Sequence, residues 1–405
     1  MNTDVTSRAG KHVLEAWEFA RNAIGKNDPR MEAPLPIFMA QLPAAEALLP
    51  YLQQLDQSRV YSNFGPLVLS LQDRLAALFD MQRHTVVATG SGTAALVAGI
   101  LALAGRGNSR RPYALCPAYT FVATASAVEQ CGYTPYLADV CASTWLLDPV
   151  SLLHHPALDR IGVVVPVAAY GRRIDVEKWS HFNEVTGIPV VIDAAAGIEA
   201  VADGRMRPVG EVVLALSFHA TKAFGCGEGG CLLASQVETV LRAAQTLNFG
   251  FMGSRDSAIA AFNGKMSEYH AAVAHAELDT WAAKRALFRE VVACYQRALF
   301  DAGVSGCDFI SAPTIASNYA LYKCGNSDHA EILRAALEAA RIESRFWYGR
   351  GLQAHPYFRD IERDYLPVTE EVSSCLVGLP MASMMTRGDV HRVVEILKST
   401  EKRCK

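Results

Sequence analysis

Short apolar runs alternate with longer segments of helical length through much of the chain. The runs predict strands at 85–89, 113–117, 134–138, 161–166, 188–193, 212–218 and 231–234. They are continuous rather than alternating, which indicates strands covered on both faces. Strands that alternate with helices indicate a mainly parallel sheet. The pattern therefore predicts an α/β fold with a mainly parallel seven-stranded sheet flanked by helices.

The connection from about Lys222 to Gly230 is too short for a helical crossover, so we expect the last strand of this sheet to run antiparallel. Upstream of the sheet, LVLSLQDRLAALFD has leucines at helical spacing from Leu67 onward. After Trp281, the segment AAKRALFREVVACYQRALFDAG predicts a long amphipathic helix that leads into a second region of mixed elements.

These changes of pattern predict three parts. An N-terminal extension at 1–35 carries an amphipathic patch around Trp17 and Phe19, and is either an arm packed on a partner or a frayed end. A large cofactor-binding domain is expected at 36–283, and a smaller C-terminal α+β domain at 284–405.

Composition narrows the class of protein. Of the 405 residues, 51% are hydrophobic and 20% are charged. The formal net charge is -3, which excludes non-specific electrostatic binding to nucleic acid or to an anionic membrane through a general excess of basic residues. The chain start has no apolar signal region, and the uncharged stretch 85–105 is broken by a turn-forming run at 89–93. The 10 cysteines include no CxxC pair and no cluster at zinc spacing. We therefore expect a soluble cytoplasmic protein without a metal site.

In an open parallel sheet, ligands bind beyond the carboxyl ends of the strands. The first strand ends in Thr89-Gly90-Ser91-Gly92-Thr93 and enters a helix, which suits a phosphate. The same string matches a nicotinamide fingerprint, but that motif needs an acid after the next strand, which ends in Cys116-Pro117 instead. A second glycine-rich match at 225–230 precedes a strand rather than a helix. Both nicotinamide interpretations are therefore disfavoured.

Two further strand ends carry charged residues. Asp193 is either a carboxylate that caps the following turn or a buried anion for a cation such as a protonated pyridine nitrogen. Lys222 is either a solvated loop residue or, if desolvated beside the ligand crevice, an amine with a lowered pKa that forms a Schiff base. Phe121 either packs at a helix start or stacks on a ligand ring. A phosphate site, a carboxylate and a lysine amine together match pyridoxal 5'-phosphate (PLP).

The chain resembles the DegT/StrS-type nucleotide-sugar aminotransferases, which are fold-type-I PLP enzymes, from about residue 35 to 398. The resemblance rests on several ordered motifs: SNFGPL at 62–67, SGTAAL at 91–96, PAYTFVATASA at 117–127, VIDAAAG at 191–197, SFHATKAFGCGEGG at 217–230, NGKMSEYHAAV at 263–273 and HPYF at 355–358. HATK, NFGPL and NGKMSE together are similar to the branch that aminates C4 of dTDP-4-keto-6-deoxyglucose.

The resemblance implies a role for each matching residue. Lys222 would bond the cofactor and move a proton during amino transfer, and Asp193 would keep the pyridine nitrogen protonated. The implied cofactor contacts also include Phe121 on the ring, a partner subunit's Asn263 on the phosphate, and phosphate contacts from Gly92, Thr93, Ala94 and Ser217. The expected assembly is thus a homodimer with shared active sites, with L-glutamate and a nucleotide-linked keto sugar as substrates.

Two positions depart from the family pattern. Ala196 stands where the family often has Gln or His against the phenolic oxygen of the cofactor, and Lys265 stands where an Arg is usual. In some members a histidine replaces the reactive lysine and the reaction becomes a dehydration, whereas Lys222 favours amino transfer. PLP-dependent dehydration or lyase chemistry, and binding of PLP or a nucleotide sugar without turnover, remain the alternatives.

Overall fold

A computed structural model describes residues 33–304 and 308–401 of the chain. Almost all of the predicted N-terminal extension, including Trp17 and Phe19, lies outside the described residues.

Seven strands form the large sheet, in the order β3-β2-β4-β5-β6-β7-β1. Two hydrogen-bonded groups, β3-β2-β4 and β5-β6-β7-β1, meet where Val164 pairs with Val190 and Val167 pairs with Asp193. β7 is antiparallel to both of its neighbours, while the remaining strands run parallel. The predicted α/β fold and the antiparallel last strand are confirmed. The strands are β1 (Val86–Thr89), β2 (Tyr113–Pro117), β3 (Thr134–Ala138), β4 (Ile161–Val164), β5 (Val191–Asp193), β6 (Val213–Ser217) and β7 (Gly230–Leu233).

β4 and β5 are each two or three residues shorter than their apolar runs, and a proline explains the difference in both strands. The run 161–166 ends as a strand at Val164, two residues before Pro166, and the run 188–193 begins as a strand only at Val191, after Pro189. Proline has no N–H for the ladder. Its carbonyl still accepts, so Val164 N donates to Pro189 O at 2.9 Å and Asp193 N to Pro166 O at 2.8 Å.

Helices cover both faces of this sheet. α3 is buried along almost its whole length, at every residue from Ala94 to Ala102, because it packs on the sheet and against α4 and α8. This burial explains its uncharged sequence. The helices of this region are α1 (Ala45–Ser58), α2 (Pro66–Leu78), α3 (Gly92–Leu103), α4 (Val122–Gln130), α5 (Pro149–Leu152), α6 (Val176–Thr186), α7 (Ile198–Ala202) and α8 (Val237–Leu247).

The predicted long helix is α9, Glu268–Ala302, and it starts well before Trp281. Ser267 caps it, because its Oγ accepts from His270 N at 3.2 Å. Tyr269 in the first turn is exposed, but six of the seven residues from 271 to 277 are buried, so the amphipathic period is missing over that stretch. The predicted domain boundary near 283 falls within this helix and stays a prediction.

The remaining described residues form a four-stranded antiparallel sheet in the order β10-β11-β9-β8. The strands are β8 (Asp308–Ile310), β9 (Ala320–Lys323), β10 (Arg345–Phe346) and β11 (Leu376–Leu379), and the helices are α10 (Ser327–Ala339), α11 (Pro367–Cys375) and α12 (Arg387–Glu401). Within residues 33–304 and 308–401, no helix is long and apolar enough to cross a membrane, and no group of side chains has the make-up of a metal site.

Candidate active site

The carboxyl ends of the parallel strands open onto a cavity of about 610 Å³. Six of the predicted site residues line it: Gly92, Thr93, Phe121, Asp193, Ser217 and Lys222. Ala94 lies just behind the wall, where it is buried and donates its N–H to Ser91 Oγ at 3.0 Å. Asn263 is exposed and pairs with Asn248, outside the residues that line the cavity. The roles predicted for Ala94 and Asn263, like those of the other site residues, stay predictions.

The amino terminus of α3 borders the cavity and is packed tightly against β6. A Cβ on Gly92 would lie 2.6 Å from Ser217 Cβ, so any residue larger than glycine would force the backbone to move. The glycine therefore allows the end of the helix to lie directly against Ser217. The first-turn N–H groups have no partner within the helix and carry the positive end of its dipole. A phosphate between Gly92, Thr93 and Ser217 would accept hydrogen bonds from the first-turn N–H groups. A side chain at residue 92 would occupy the space that this phosphate needs.

Asp193 ends β5 with its carboxylate inside the site, where it is 6% exposed. One oxygen accepts from Thr124 Oγ1 at 2.8 Å and the other from Ala195 N at 3.1 Å. Burial raises the pKa of Asp193, while the Thr124 bond, the Ala195 N–H and the Lys222 charge each lower it. The carboxylate is thus a buried anion that lacks a full set of partners, which suits a protonated ring nitrogen.

Lys222 follows β6 in a loop that backbone hydrogen bonds hold in place. Lys222 N donates to His219 O at 2.9 Å, and Ala220 N donates to Gly227 O at 2.9 Å. The side chain is half-buried, and among the described residues its Nζ has no hydrogen-bond or ion-pair partner. The Lys222 charge lowers the pKa of Asp193, which lines the same cavity. The amine itself is free to bond a ligand in that cavity.

One predicted position faces the cavity with an exposed aromatic ring. Phe121 is 60% exposed at the start of α4, so it does not pack into the core of this chain, and its stacking on a ligand ring stays a prediction. Ala196, at one of the two departures from the family pattern, also lines the cavity and leaves room where a longer side chain would stand.

Sequence reasoning missed the residues that the C-terminal region brings to the cavity. Arg345, Phe346, Trp347, Tyr348 and His355 form part of its wall. For residues 345–348, the run RFWYGRG, dense in aromatic and cationic residues between two helical patterns, is a signal that could have found them.

Tyr348 is the most constrained of these residues. Its φ is 62°, it stacks on Tyr170 with ring centroids 4.9 Å apart, and its hydroxyl accepts from Tyr170 N at 3.3 Å. Tyr170 in turn shares a 2.6 Å hydrogen bond with Tyr119. Burial raises the pKa of Tyr348 well above its ordinary value, so this tyrosine wall stays protonated. Thr124 was also missed, because nothing local in the sequence links it to Asp193.

Known proteins with similar sequences are named as sugar aminotransferases. A UDP-2-acetamido-2-deoxy-3-oxo-D-glucuronate aminotransferase of Pseudomonas aeruginosa is 30% identical over 318 residues, which cover 78% of this chain and 86% of that protein. A dTDP-4-amino-4,6-dideoxy-D-glucose transaminase of Shigella dysenteriae is 29% identical over 251 residues, which cover 62% of this chain and 66% of that protein.

Two solved structures share the fold. A protein described as a PLP-dependent aminotransferase from Bacillus cereus has a TM-score of 0.83 and 27% identity, covering 90% of this chain and 100% of that one. DesI, solved in the presence of its TDP-sugar product, has a TM-score of 0.82 and 27% identity, covering 92% of this chain and 94% of that one.

The phosphate cradle, the buried carboxylate and the uncommitted lysine fit PLP, the cofactor of these aminotransferases. The family model for DegT/DnrJ/EryC1/StrS aminotransferases matches residues 44–398. The chain therefore belongs to this family of PLP-dependent sugar aminotransferases, the DegT/DnrJ/EryC1/StrS aminotransferase family.

Proposed function

We propose that this protein transfers an amino group from L-glutamate to the keto group of a nucleotide-linked sugar. The observation that carries the proposal is the placement of Lys222, Asp193 and the α3 amino terminus around one cavity. PLP has one group for each of them: its aldehyde would bond Lys222, its ring nitrogen would pair with Asp193, and its phosphate would bind at the α3 amino terminus.

In the proposed site, Gly92, Thr93, Ala94 and Ser217 hold the phosphate. Phe121 covers one face of the ring. A partner subunit donates Asn263, whose exposure outside the cavity of its own chain supports a homodimer with shared sites.

The reaction uses two groups of this chain directly. Bound PLP supplies an electron sink for the bond cleavage that amino transfer requires. The Asp193 carboxylate keeps the ring nitrogen protonated, because a buried anion beside that nitrogen favours its charged form. Lys222 Nζ, which has no partner among the described residues, would take up and return the proton at the reacting carbon of the bound substrate. Trp347 and Tyr348 also line the cavity, and their rings would limit the access of water.

For the sugar, we propose dTDP-4-keto-6-deoxyglucose, aminated at C4. The motifs HATK, NFGPL and NGKMSE support this choice, and so does the similarity to a relative named as a dTDP-4-amino-4,6-dideoxy-D-glucose transaminase. A relative of similar identity is named for a 3-oxo sugar on UDP, so both nucleotides and both positions belong in the assay. A cavity of about 610 Å³ is within the range of small-molecule sites.

The test is a glutamate half-reaction followed by a mass-spectrometric panel of keto-sugar nucleotides. We expect 2-oxoglutarate release with PLP and glutamate, and then one aminated sugar of the panel. Lys222→Ala should abolish both, whereas Lys178→Ala, which removes a surface lysine of α6, should change neither.

Three outcomes contradict the proposal. Full transaminase activity in Lys222→Ala would overturn the role of the lysine. Loss of water from a sugar without 2-oxoglutarate release would indicate dehydration or lyase chemistry. Binding of a sugar nucleotide without any product would indicate a non-catalytic relative.

A further inference from the structure

A second, much smaller cavity lies beside Lys222. It has a volume of about 20 Å³, and Lys222, Thr221, Asn318, Lys284 and Ser383 are among the residues that line it. Lys222 also lines the large cavity, so its side chain belongs to the wall that both share. A lysine has a flexible four-carbon stem, and its amine can therefore turn from one cavity to the other.

Asn318 presents an unpaired oxygen in this place. The residue is 4% exposed, its Nδ2 donates to Thr221 O at 2.9 Å, and its Oδ1 is buried with no partner. A carbonyl only accepts hydrogen bonds, so the NH₂ of the amide must face Thr221 and the free atom must be the oxygen. A buried acceptor without a partner costs free energy of folding, so a donor that reaches this oxygen would be bound favourably.

The two residues that precede Asn318 are held by hydrogen bonds to other parts of the chain. Ser317 N donates to Glu199 Oε2 at 2.6 Å, and Glu199 is held in turn by Arg285 at 3.3 Å. Ala316 N donates to Tyr170 O at 2.8 Å. The Asn318 amide is therefore held in place by its surroundings before any donor arrives.

Two other side-chain donors at the small cavity, Lys284 and Ser383, are already engaged. Lys284 Nζ is bonded to Glu277 Oε1 at 2.6 Å and to Gln41 O at 2.8 Å. Ser383 Oγ donates to Gln41 Oε1 at 3.0 Å. Lys222 Nζ, in contrast, has no partner among the described residues, and it is the neighbour of the residue that Asn318 binds.

We propose that Asn318 is a positioning residue for Lys222. Its Oδ1 accepts a hydrogen bond from Lys222 Nζ whenever that amine is not bonded to the cofactor, and its Nδ2 holds the adjoining carbonyl. The amine would thereby stay at the edge of the site between proton transfers instead of moving freely. This inference rests on the proposed role of Lys222.

The test measures how fast Lys222 reacts in cofactor-free protein, so that it does not depend on turnover. Acetic anhydride labels exposed amines, and mass spectrometry of the peptide that contains Lys222 gives its rate. Asn318→Leu removes the acceptor at similar size and should raise that rate about fivefold, the factor that one hydrogen bond typically contributes. Asn318→Asp keeps an acceptor oxygen and should not accelerate labelling.

Ser317→Ala is the matched control. Ser317 is the preceding residue, is 2% exposed and also has an unpaired buried oxygen, but it does not line the small cavity. Its labelling rate should equal that of the unsubstituted protein. Thermal melting of all variants confirms that each is folded at the labelling temperature.

Two results would overturn the inference. Equal labelling in Asn318→Leu and unsubstituted protein would mean that Oδ1 does not hold the amine, as expected if a water occupies the small cavity. Equal acceleration in the Leu and Asp variants would assign the effect to the lost Thr221 bond. A separate arm adds PLP: if PLP fails to protect Lys222 from the reagent, the proposed role of Lys222 itself is wrong.

Discussion

Gly92→Ala tests whether the close contact between α3 and β6 shapes the phosphate site. The backbone of Gly92 is helical and accepts alanine without strain, so any loss of stability comes from the contacts of the new methyl group. That methyl would lie 2.6 Å from Ser217 Cβ, 3.0 Å from Ser217 Oγ and 3.1 Å from Ser217 Cα. Carbon atoms in contact are normally about 3.5–4.0 Å apart. The helix end must therefore move away from β6 by a substantial fraction of an ångström.

We expect two consequences of this movement. Overpacking of this kind costs about 1–3 kcal/mol of the free energy of unfolding. The displaced first turn would also aim its N–H groups away from Ser217, and the affinity for PLP should fall by more than tenfold, since each 1.4 kcal/mol is about a factor of ten. Urea unfolding of cofactor-free protein measures the first effect, and titration of the visible absorbance of bound PLP measures the second.

The controls separate this contact from a general effect of alanine. Gly325→Ala adds a methyl group where nothing lies within 4 Å, and it should leave both measurements unchanged. Ser217→Gly removes the Cβ that Gly92→Ala would strike, so the double variant should recover part of the lost stability. If Gly92→Ala unfolds at the same urea concentration as Gly325→Ala and binds PLP as the unsubstituted protein does, the reasoning from the contact is refuted.

Two further predictions concern Asp193. Thr124→Val removes the 2.8 Å hydrogen bond to the Asp193 carboxylate at nearly constant shape. A hydrogen bond to a charged group is worth about 1.5–3 kcal/mol, so its loss should raise the pKa of Asp193 and move the acid limb of the pH profile of kcat/KM to higher pH. An unchanged acid limb would contradict the role of Thr124. Because burial raises the pKa of Asp193, this group contributes stability below its ordinary pKa that is lost as pH rises through the raised value. Asp193→Asn should therefore gain stability relative to unsubstituted cofactor-free protein between acidic and neutral pH in urea titrations, and a pH-independent difference would disprove this.

The large sheet could be predicted from the sequence because its strands are buried on both faces, and a continuous apolar run is a local signal. The ends of the strands were less certain, since Pro166 and Pro189 lie within apolar runs and only their missing N–H groups exclude them from the ladder. The start of α9 was missed for the opposite reason. Six of the seven residues from 271 to 277 are buried, so no periodic pattern separates a polar from an apolar face there.

Part of the candidate site could also be predicted, because Asp193 and Ser217 end strands and Gly92 begins a helix. These positions converge through the topology of the sheet, which the apolar runs already indicate. The wall formed by Tyr348 and its neighbours could not be found in this way. It belongs to a segment more than one hundred residues further along the chain, and only tertiary packing brings it to the cavity.

Even a correctly chosen residue leaves its chemistry undetermined until its neighbours are known. The sequence identifies Asp193 as a carboxylate after an apolar strand, but its ionisation is the balance of burial against three partners. One of these, Thr124, lies 69 residues away in the chain and is itself bonded to Thr120 at 2.8 Å. Since burial alone favours the protonated carboxyl, the Thr124 hydroxyl, the Ala195 N–H and the Lys222 charge together favour the ionised form of Asp193 that can hold a cation.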